Sequence, residues 1–326
     1  MQRREFITLL GGAVASPVAA RAQNTPAGYP DRPITLIVPY APGGGNDVLA
    51  RAVADPMAKS LGQPLVIQNR GGAGGSVGTR QVAKAPPDGY TLGLGGTGTL
   101  AIDPTLYPNA GYDPRKDFAP IGLIATSPLI VLVNQSVAAH NVQELIALAK
   151  AQPGKLNYAS AGPGSGIHLG TVLFADTAAI DITHVPYKGT GPALADLLGG
   201  HVQIYFSSLP PAVGLVKDGR LRALGVTGLK RSASFPDVPT VAEQGLPGFE
   251  AVLHYGIVAP AGTPRPIVDK LNAALRAALG DPKVHDHIAT EGAEPLPTSP
   301  EEYAADIDRE ETKWSALVKK SGATAK

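Results

Sequence analysis

Short apolar, β-branched-rich runs recur along this chain, and most are separated by stretches with helical period. They lie at 34–40 (ITLIVPY), 65–69 (LVIQN), 90–96 (YTLGLGG), 129–134 (LIVLVN), 156–160 (LNYAS), 182–187 (ITHVPY), 202–208 (VQIYFSS) and 221–227 (LRALGVT). Alternating strands and helices restrict the chain to an α/β fold with a largely parallel sheet. In 47–61, Val48, Leu49, Ala52, Val53, Met57 and Leu61 share one helical face. Asn141 with Glu144 opens a helix over LIALAKAQ. Ser299-Pro300-Glu301-Glu302 supplies an N-cap, a proline at the first helical position and a glutamate three residues after the cap. It predicts a C-terminal helix running to about Lys320.

Two of the strand-to-helix connections are glycine turns: VPYAPGGGNDVLAR (38–51) and LNYASAGPGSGIHLGTVL (156–173). A glycine turn leading into a helix can present bare backbone N–H groups to an anion. Nucleotides are disfavoured. A dinucleotide fingerprint starting at Gly43 and Gly45 needs a third glycine where Val48 stands, and a P-loop needs Gly-Lys-Ser/Thr where the chain has Asn46-Asp47-Val48. A tight βα turn with no ligand is the plainer reading of either stretch. In open α/β sheets, however, ligands lie outside the C-terminal strand ends, where both turns fall. If the turns belong to separate domains, two helix N-termini converge on one ligand.

The candidate N–H donors are Gly44, Gly45 and Asn46 in the first turn, with Tyr40 and Ala41 leading into it. Ser160, Ala161, Gly164 and Ser165 are their counterparts in the second. Asp47, at a helix start, reads first as a cap that fixes the turn and only second as a ligand contact. His168 lies one helical turn in, where a structural hydrogen bond is the more usual role. Thr97 and Thr99 follow the YTLGLGG strand, Tyr187 and Lys188 end another, and Tyr205, Ser207 and Ser208 end VQIYFSS. Lys188 can pair with a second acidic group on the ligand or stand solvated in its turn.

The N-terminus reads as an export signal over residues 1–22. Arg3-Arg4-Glu5-Phe6 is a basic n-region, ITLLGGAVASPVAA is a short apolar stretch broken by Pro17, and Ala20-Arg21-Ala22 offers small residues at a cleavage site. The arginine pair followed by x-Phe fits a twin-arginine signal, with ordinary Sec export as the alternative. Cleavage leaves about 300 residues, enough for two medium domains. The chain has no cysteine, which excludes disulfides, thiolate metal sites, cysteine nucleophiles and a lipid-anchored N-terminal cysteine. With 28 basic against 27 acidic residues, it carries no nucleic-acid footprint and no membrane-surface patch. Any anion specificity must therefore be local. The expected location is the periplasm, where nucleoside triphosphates are not normally supplied.

A series of motifs then runs through the mature chain: Pro39 to Asp47 (PYAPGGGND), NRGGAGG from Asn69 to Gly75, AKAPPDGYTL (83–92), YDPRKDFAPI (112–121), GSGIHL from Gly164 to Leu169, VPYKG (185–189) and LRALGVT (221–227). The series resembles the periplasmic substrate-binding proteins of the tripartite tricarboxylate transporter family, also called the Bug family. The resemblance implies a two-domain periplasmic-binding-protein (Venus-flytrap) fold, each domain a mostly parallel sheet flanked by helices. It places domain I at 23–126 plus 250–326 and domain II at 127–249, with two hinge crossings. It also implies a monomer that holds a carboxylate, mainly on backbone N–H groups and waters of the two glycine turns, and delivers it to membrane permease subunits without a cofactor. Family members often carry an acidic residue where this chain has Ser207. That departure favours a dicarboxylate or aromatic acid over an amino acid.

One competing motif remains. Gly74-Gly75-Ser76-Val77-Gly78 matches G-x-S-x-G, the nucleophile elbow of α/β-hydrolases, and offers a secreted esterase using Ser76 as the alternative function. The preceding RGGAGG is a long loop where an elbow needs a sharp turn, and the seven histidines are scattered singly. No His/Asp/Glu cluster has metal-ligand spacing, so no metal is expected.

Overall fold

The computed structural model describes residues 28–107 and 109–321. The signal-peptide reading falls outside these residues. The strands are β1 Ile34–Val38, β2 Leu65–Asn69, β3 Thr91–Gly96, β4 Phe118–Val133, β5 Asn157–Ser160, β6 Thr183–Pro186, β7 Ile204–Ser208, β8 Arg222–Val226, β9 Val252–Pro260 and β10 Glu294–Pro295. The helices are α1 Gly45–Leu61, α2 Ser76–Ala83, α3 Asp103–Leu106 (entered from a wide π-type turn, Thr97–Ile102), α4 Val142–Ala151, α5 Gly166–Ala178, α6 Thr190–Leu198, α7 Val213–Lys217, α8 Arg265–Gly280, α9 Pro282–Thr290 and α10 Pro300–Ser321.

Two sheets share one strand. β1 pairs in parallel with β2 and β3, and β5 pairs in parallel with β6 and β7. β4 joins them: its residues 118–128 pair antiparallel with β9, and its residues 129–133 pair antiparallel with β7 and β8. The parallel expectation thus holds for the strands that carry the glycine turns. The long strands β4 and β9 add antiparallel pairs, so each sheet is mixed. Each sheet with its helices forms a lobe, giving a two-domain α/β fold.

Local chemistry explains most element boundaries. On α1, Leu49, Val53, Met57 and Leu61 are buried as the period demands, and each contributes about 1.5–3 kcal/mol by leaving water. The buried stripe takes Ala50 and Ala54 rather than Val48 and Ala52, which are only half-buried. The helix stops at Gly62, whose φ of 73° is the left-handed cap conformation that lacks a Cβ penalty only in glycine. The Asn141 side chain accepts from the Glu144 N–H. At α10 the capping box is complete: Glu302 N–H donates to Ser299 Oγ at 3.1 Å, and Ser299 N–H donates to Glu302 Oε2 at 2.7 Å. In β4, the register shifts beside Pro120, where the missing proline N–H interrupts the ladder.

A cleft site built from four helix starts

Four helical segments begin at the C-terminal ends of strands and aim at one space between the lobes. From the first lobe come α1, after β1, and the π-type turn, after β3. From the second come α5, after β5, and α6, after β6. Gly44, Gly45 and Asn46 line the cavity from α1, Thr97, Gly98 and Thr99 from the turn, Ser165, Gly166 and Ile167 from α5, and Thr190 from α6. The first N–H groups of a helix have no partner within it. Gly44 offers α1 no side-chain cap. Ser165 caps only the His168 N–H of α5, which leaves Gly166 and Ile167 facing the cavity. Each helix end contributes about 0.3–1 kcal/mol toward an anion, and up to about 2 when partly buried.

The remaining wall is apolar or neutral. Leu253 and Tyr255 reach the cavity from β9, Ser208 from β7 and Tyr40 from the end of β1. Burial pushes the Tyr40 and Tyr255 hydroxyls up, so both stay protonated donors. Among the described residues no Lys, Arg, Asp or Glu lines the cavity. His254 contributes its backbone edge: Leu253 and Tyr255 on either side face inward, while the His254 ring turns away to Asp306 on α10, with Nδ1 2.8 Å from Oδ2. The cleft, partly open to solvent, leaves about 30 Å³, room for a few water molecules.

The lobes are drawn together over this cavity. A Cβ built on Gly45 would stand 2.8 Å from Ser208 Oγ, and one on Gly44 would stand 3.1 Å from Thr190 Oγ1. The Tyr107 hydroxyl of the first lobe donates to the Pro163 carbonyl of the second at 2.5 Å. Neither glycine has a positive φ; the close approach of the second lobe crowds a side chain at Gly45 and leaves only a tight fit at Gly44.

Nine of the residues expected from sequence meet at the cavity: Tyr40, Gly44, Gly45, Asn46, Thr97, Thr99, Ala161, Ser165 and Ser208. The others lie outside its lining and have other partners or positions. Asp47 fixes the first turn. Its Oδ2 accepts from Gly43 N–H at 3.1 Å, Arg51 bonds both oxygens at 3.0 Å, and Asn69 reaches Oδ1 at 3.0 Å. Burial raises the Asp47 pKa, but these hydrogen bonds outweigh it and hold the carboxyl below its ordinary value. Ser160 Oγ accepts from Gly162 N–H and contacts His184 Nε2 at 2.6 Å, while Gly164 N–H donates to His168 Nδ1 at 3.2 Å. The His168 ring stacks on His184 at 4.2 Å. Burial, and then the neighbouring His184, push the His168 pKa down to about 3; burial pushes that of His184 down to about 4. Both are therefore neutral rings that brace the α5 turn. Tyr187 donates to Asp196, Tyr205 to Thr190 Oγ1, and Ser207 to the Ser208 carbonyl. Ala41 packs in the interlobe seam beside Gly189. Lys188 is exposed.

The sequence reading missed Gly96, Gly98, Gly166, Ile167, Thr190, Leu253, His254 and Tyr255. Thr190 had a usable signal, because Gly189 precedes it at a third strand-to-helix junction. Gly166 and Ile167 follow directly from Ser165 as N-cap. Leu253 and Tyr255 arrive on a strand paired with partners far away in sequence, and no local pattern marks them.

The esterase alternative fails on geometry. Ser76 is buried, and its hydroxyl contacts the Ala73 carbonyl at 2.8 Å and Asp103 Oδ2 at 2.9 Å. Among the described residues no histidine hydrogen-bonds it, so no base is in place to activate it.

The two-lobed α/β fold with a cleft between the lobes is that of the periplasmic binding proteins. Residues 49–323 match the family described as Tripartite tricarboxylate transporter family receptor. The chain is similar to protein BugT of Bordetella pertussis, 39% identical over 322 residues, which is 98% of this chain and 96% of BugT. Among solved structures it is similar to an R. palustris protein with adipate (TM-score 0.88, 38% identity, 91% of this chain and 99% of that one). It is also similar to MatC from Rhodopseudomonas palustris with bound malate (TM-score 0.86, 37% identity, 89% and 100%). The chain belongs to the tripartite tricarboxylate transporter receptor family and is a periplasmic binding protein of the Bug type.

Proposed function

We propose that this receptor captures a small dicarboxylate or aromatic acid between its lobes and delivers it to the membrane permease subunits of a tripartite transporter. The observation that carries the reading is the cavity itself. Helix starts from both lobes direct N–H groups into it, and no charged side chain competes for the ligand. A carboxylate accepts from such donors; a ligand ammonium finds no Asp or Glu in the lining. Adipate and malate in similar proteins are diacids of the same chemistry. Gly45 and Asn46 from one lobe, with Gly166 and Ile167 from the other, are the principal donors in this reading. Ser208, Tyr40 and Tyr255 add hydroxyls.

In this reading the two bodies are 23–126 plus 250–326 and 127–249, and the change of partners along β4, from β9 to β7 and β8, supports a hinge there. The lobes, in the same reading, part to admit the acid, and the receptor works as a monomer by closing on it. Export through a twin-arginine signal fits Arg3, Arg4 and Phe6.

A thermal-shift panel of malate, adipate, citrate, aromatic acids, acidic amino acids and the amides of each acid tests the reading. At about 100-fold over Kd, a ligand of the folded state adds about 2.7 kcal/mol, which raises Tm by about 4–5 °C in a chain of this size. The acids are expected to shift Tm and their amides not to. An amide that stabilises as well as its acid, or a panel in which only amino acids act, refutes the proposal.

A further inference from the structure

Asp103 is fully buried at the start of α3 and takes no part in the cavity. Ser76 Oγ lies 2.9 Å from Asp103 Oδ2 and 2.8 Å from the Ala73 carbonyl, so its single hydrogen cannot serve both. The Tyr112 hydroxyl lies 2.7 Å from the Thr99 carbonyl but 3.3 Å from Oδ2, so the carbonyl has the closer claim on its hydrogen. Oδ2 thus accepts a hydrogen that Ser76 shares with Ala73 and a long contact from Tyr112, which is little to offset a negative charge.

The other oxygen, Oδ1, has no hydrogen-bond partner. It faces the opposite lobe, where a Cβ on Gly164 would stand 2.5 Å from it. The Gly164 N–H is not available, since it donates to His168. The titratable groups facing Asp103 from its own lobe are Tyr40, Tyr107 and Tyr112, all phenols that burial keeps protonated. From the opposite lobe the nearest are His168 and, behind it, His184, both neutral. Among the described residues no Lys or Arg bonds Asp103. An anionic carboxylate in this place would be buried without a counter-charge, which is far costlier than a neutral one. Beside it, Tyr107 holds Pro163 across the seam. Oδ1 is packed between Gly164 of the opposite lobe and Gly74 of its own, so parting the lobes uncovers one of its two sides.

We propose that Asp103 is a proton-operated latch: the closed cleft holds its carboxyl protonated against Pro163–Gly164, so closure takes up a proton and ionisation of Asp103 favours opening. The inference rests on the lobes moving as the proposed function requires, but not on the identity of any ligand. Burial raises the Asp103 pKa in the closed form, and exposure returns it toward the ordinary value near 4. The sign follows. Closure is fully supported below the open-form pKa and weakens as pH rises from there toward the closed-form pKa. With one proton involved, the open-to-closed ratio rises by up to tenfold per pH unit in that window.

Solution scattering on the unliganded mature protein between pH 5 and pH 8 reads this directly. Wild type is expected to expand as pH rises. D103N keeps a donor to Ser76 and cannot ionise, so it is expected to stay compact through pH 8. Y107F, which removes the other seam contact and no charge, is expected to expand with its midpoint at lower pH. A wild-type radius of gyration that does not change with pH overturns the proposal, as does D103N expanding along the wild-type curve. If D103N does not fold, an unchanged midpoint in Y107F overturns it. Because no ligand is used, a failed ligand panel and a failed latch are separate outcomes.

Discussion

Gly45→Ala should separate the stability of this receptor from its affinity, with opposite signs. Gly45 is the first residue of α1 and does not have a positive φ. Alanine suits a helix better than glycine by up to about 1 kcal/mol in the interior and less at the first position. With the lobes apart, the substitution is therefore neutral or mildly stabilising. Closing brings the new methyl to 2.8 Å from Ser208 Oγ and 3.1 Å from Ser208 Cβ, with the Tyr255 hydroxyl also at 3.1 Å. Ser208 Oγ can turn aside, but Ser208 Cβ is fixed by β7 and the buried Tyr255 ring is carried by β9, so overpacking of this kind costs about 1–3 kcal/mol. That corresponds to about 5- to 150-fold weaker binding, at 1.4 kcal/mol per decade. Calorimetry with an acid identified by the thermal-shift panel, alongside melting of the unliganded protein, gives both numbers. Binding within twofold of wild type would refute the claim that Gly45 meets Ser208 across a closing cleft. A Tm lower by several degrees would refute the claim that the cost falls only on closure.

The remaining expectations are simpler. Lys188→Met should leave the affinity for a monocarboxylate within a few-fold, because Lys188 lies outside the cavity lining; complete loss in calorimetry would show a lysine clamp. Asp47→Ala should lower stability by about 1–3 kcal/mol, the cost of leaving its partners Gly43 N–H and Asn69 unmet, measured by urea unfolding at pH 7. Since the folded Asp47 pKa lies below the ordinary value, its contribution is present above about pH 4 and is lost as pH falls through the folded value; a wild-type-minus-mutant difference that grew toward low pH would contradict this. His168 and His184 have folded values pushed down to about 3 and about 4. Their neutral forms therefore stabilise fully above about pH 6.5, and stability falls as pH drops below that, by up to about 1.4 kcal/mol per pH unit for each ring. His184→Asn should flatten the loss seen in denaturant titrations between pH 6.5 and pH 4; an unchanged slope would show that the ring pair does not resist protonation.

Local chemistry alone carried much of the architecture. The apolar runs became strands with boundaries shifted by one or two residues, and the Ser299–Glu302 box started α10 as its spacing required. The long β4 was legible only in its second half, because Pro120, Gly122 and Pro128 interrupt the first half's apolar pattern. β9 left no comparable trace: its His254 and Gly256 break the apolar run, and its place is set by pairing with β3 and β4.

By itself, the sequence determined the strand–helix alternation, the two glycine turns that expose helix N–H groups, and a neutral cysteine-free chain whose anion binding must be local. These are properties of residues close together along the chain, where turn chemistry and period act directly. Tertiary structure decided what faces the cavity. It brought in Thr190, Leu253 and Tyr255, turned Ser160 and Gly164 inward as braces for His184 and His168, and saturated Asp47 with Arg51 and Asn69. It also set Asp103 against Gly164 from the other lobe. Which atoms meet across a cleft depends on how two sheets are held by one shared strand, and that packing is a property of the whole chain.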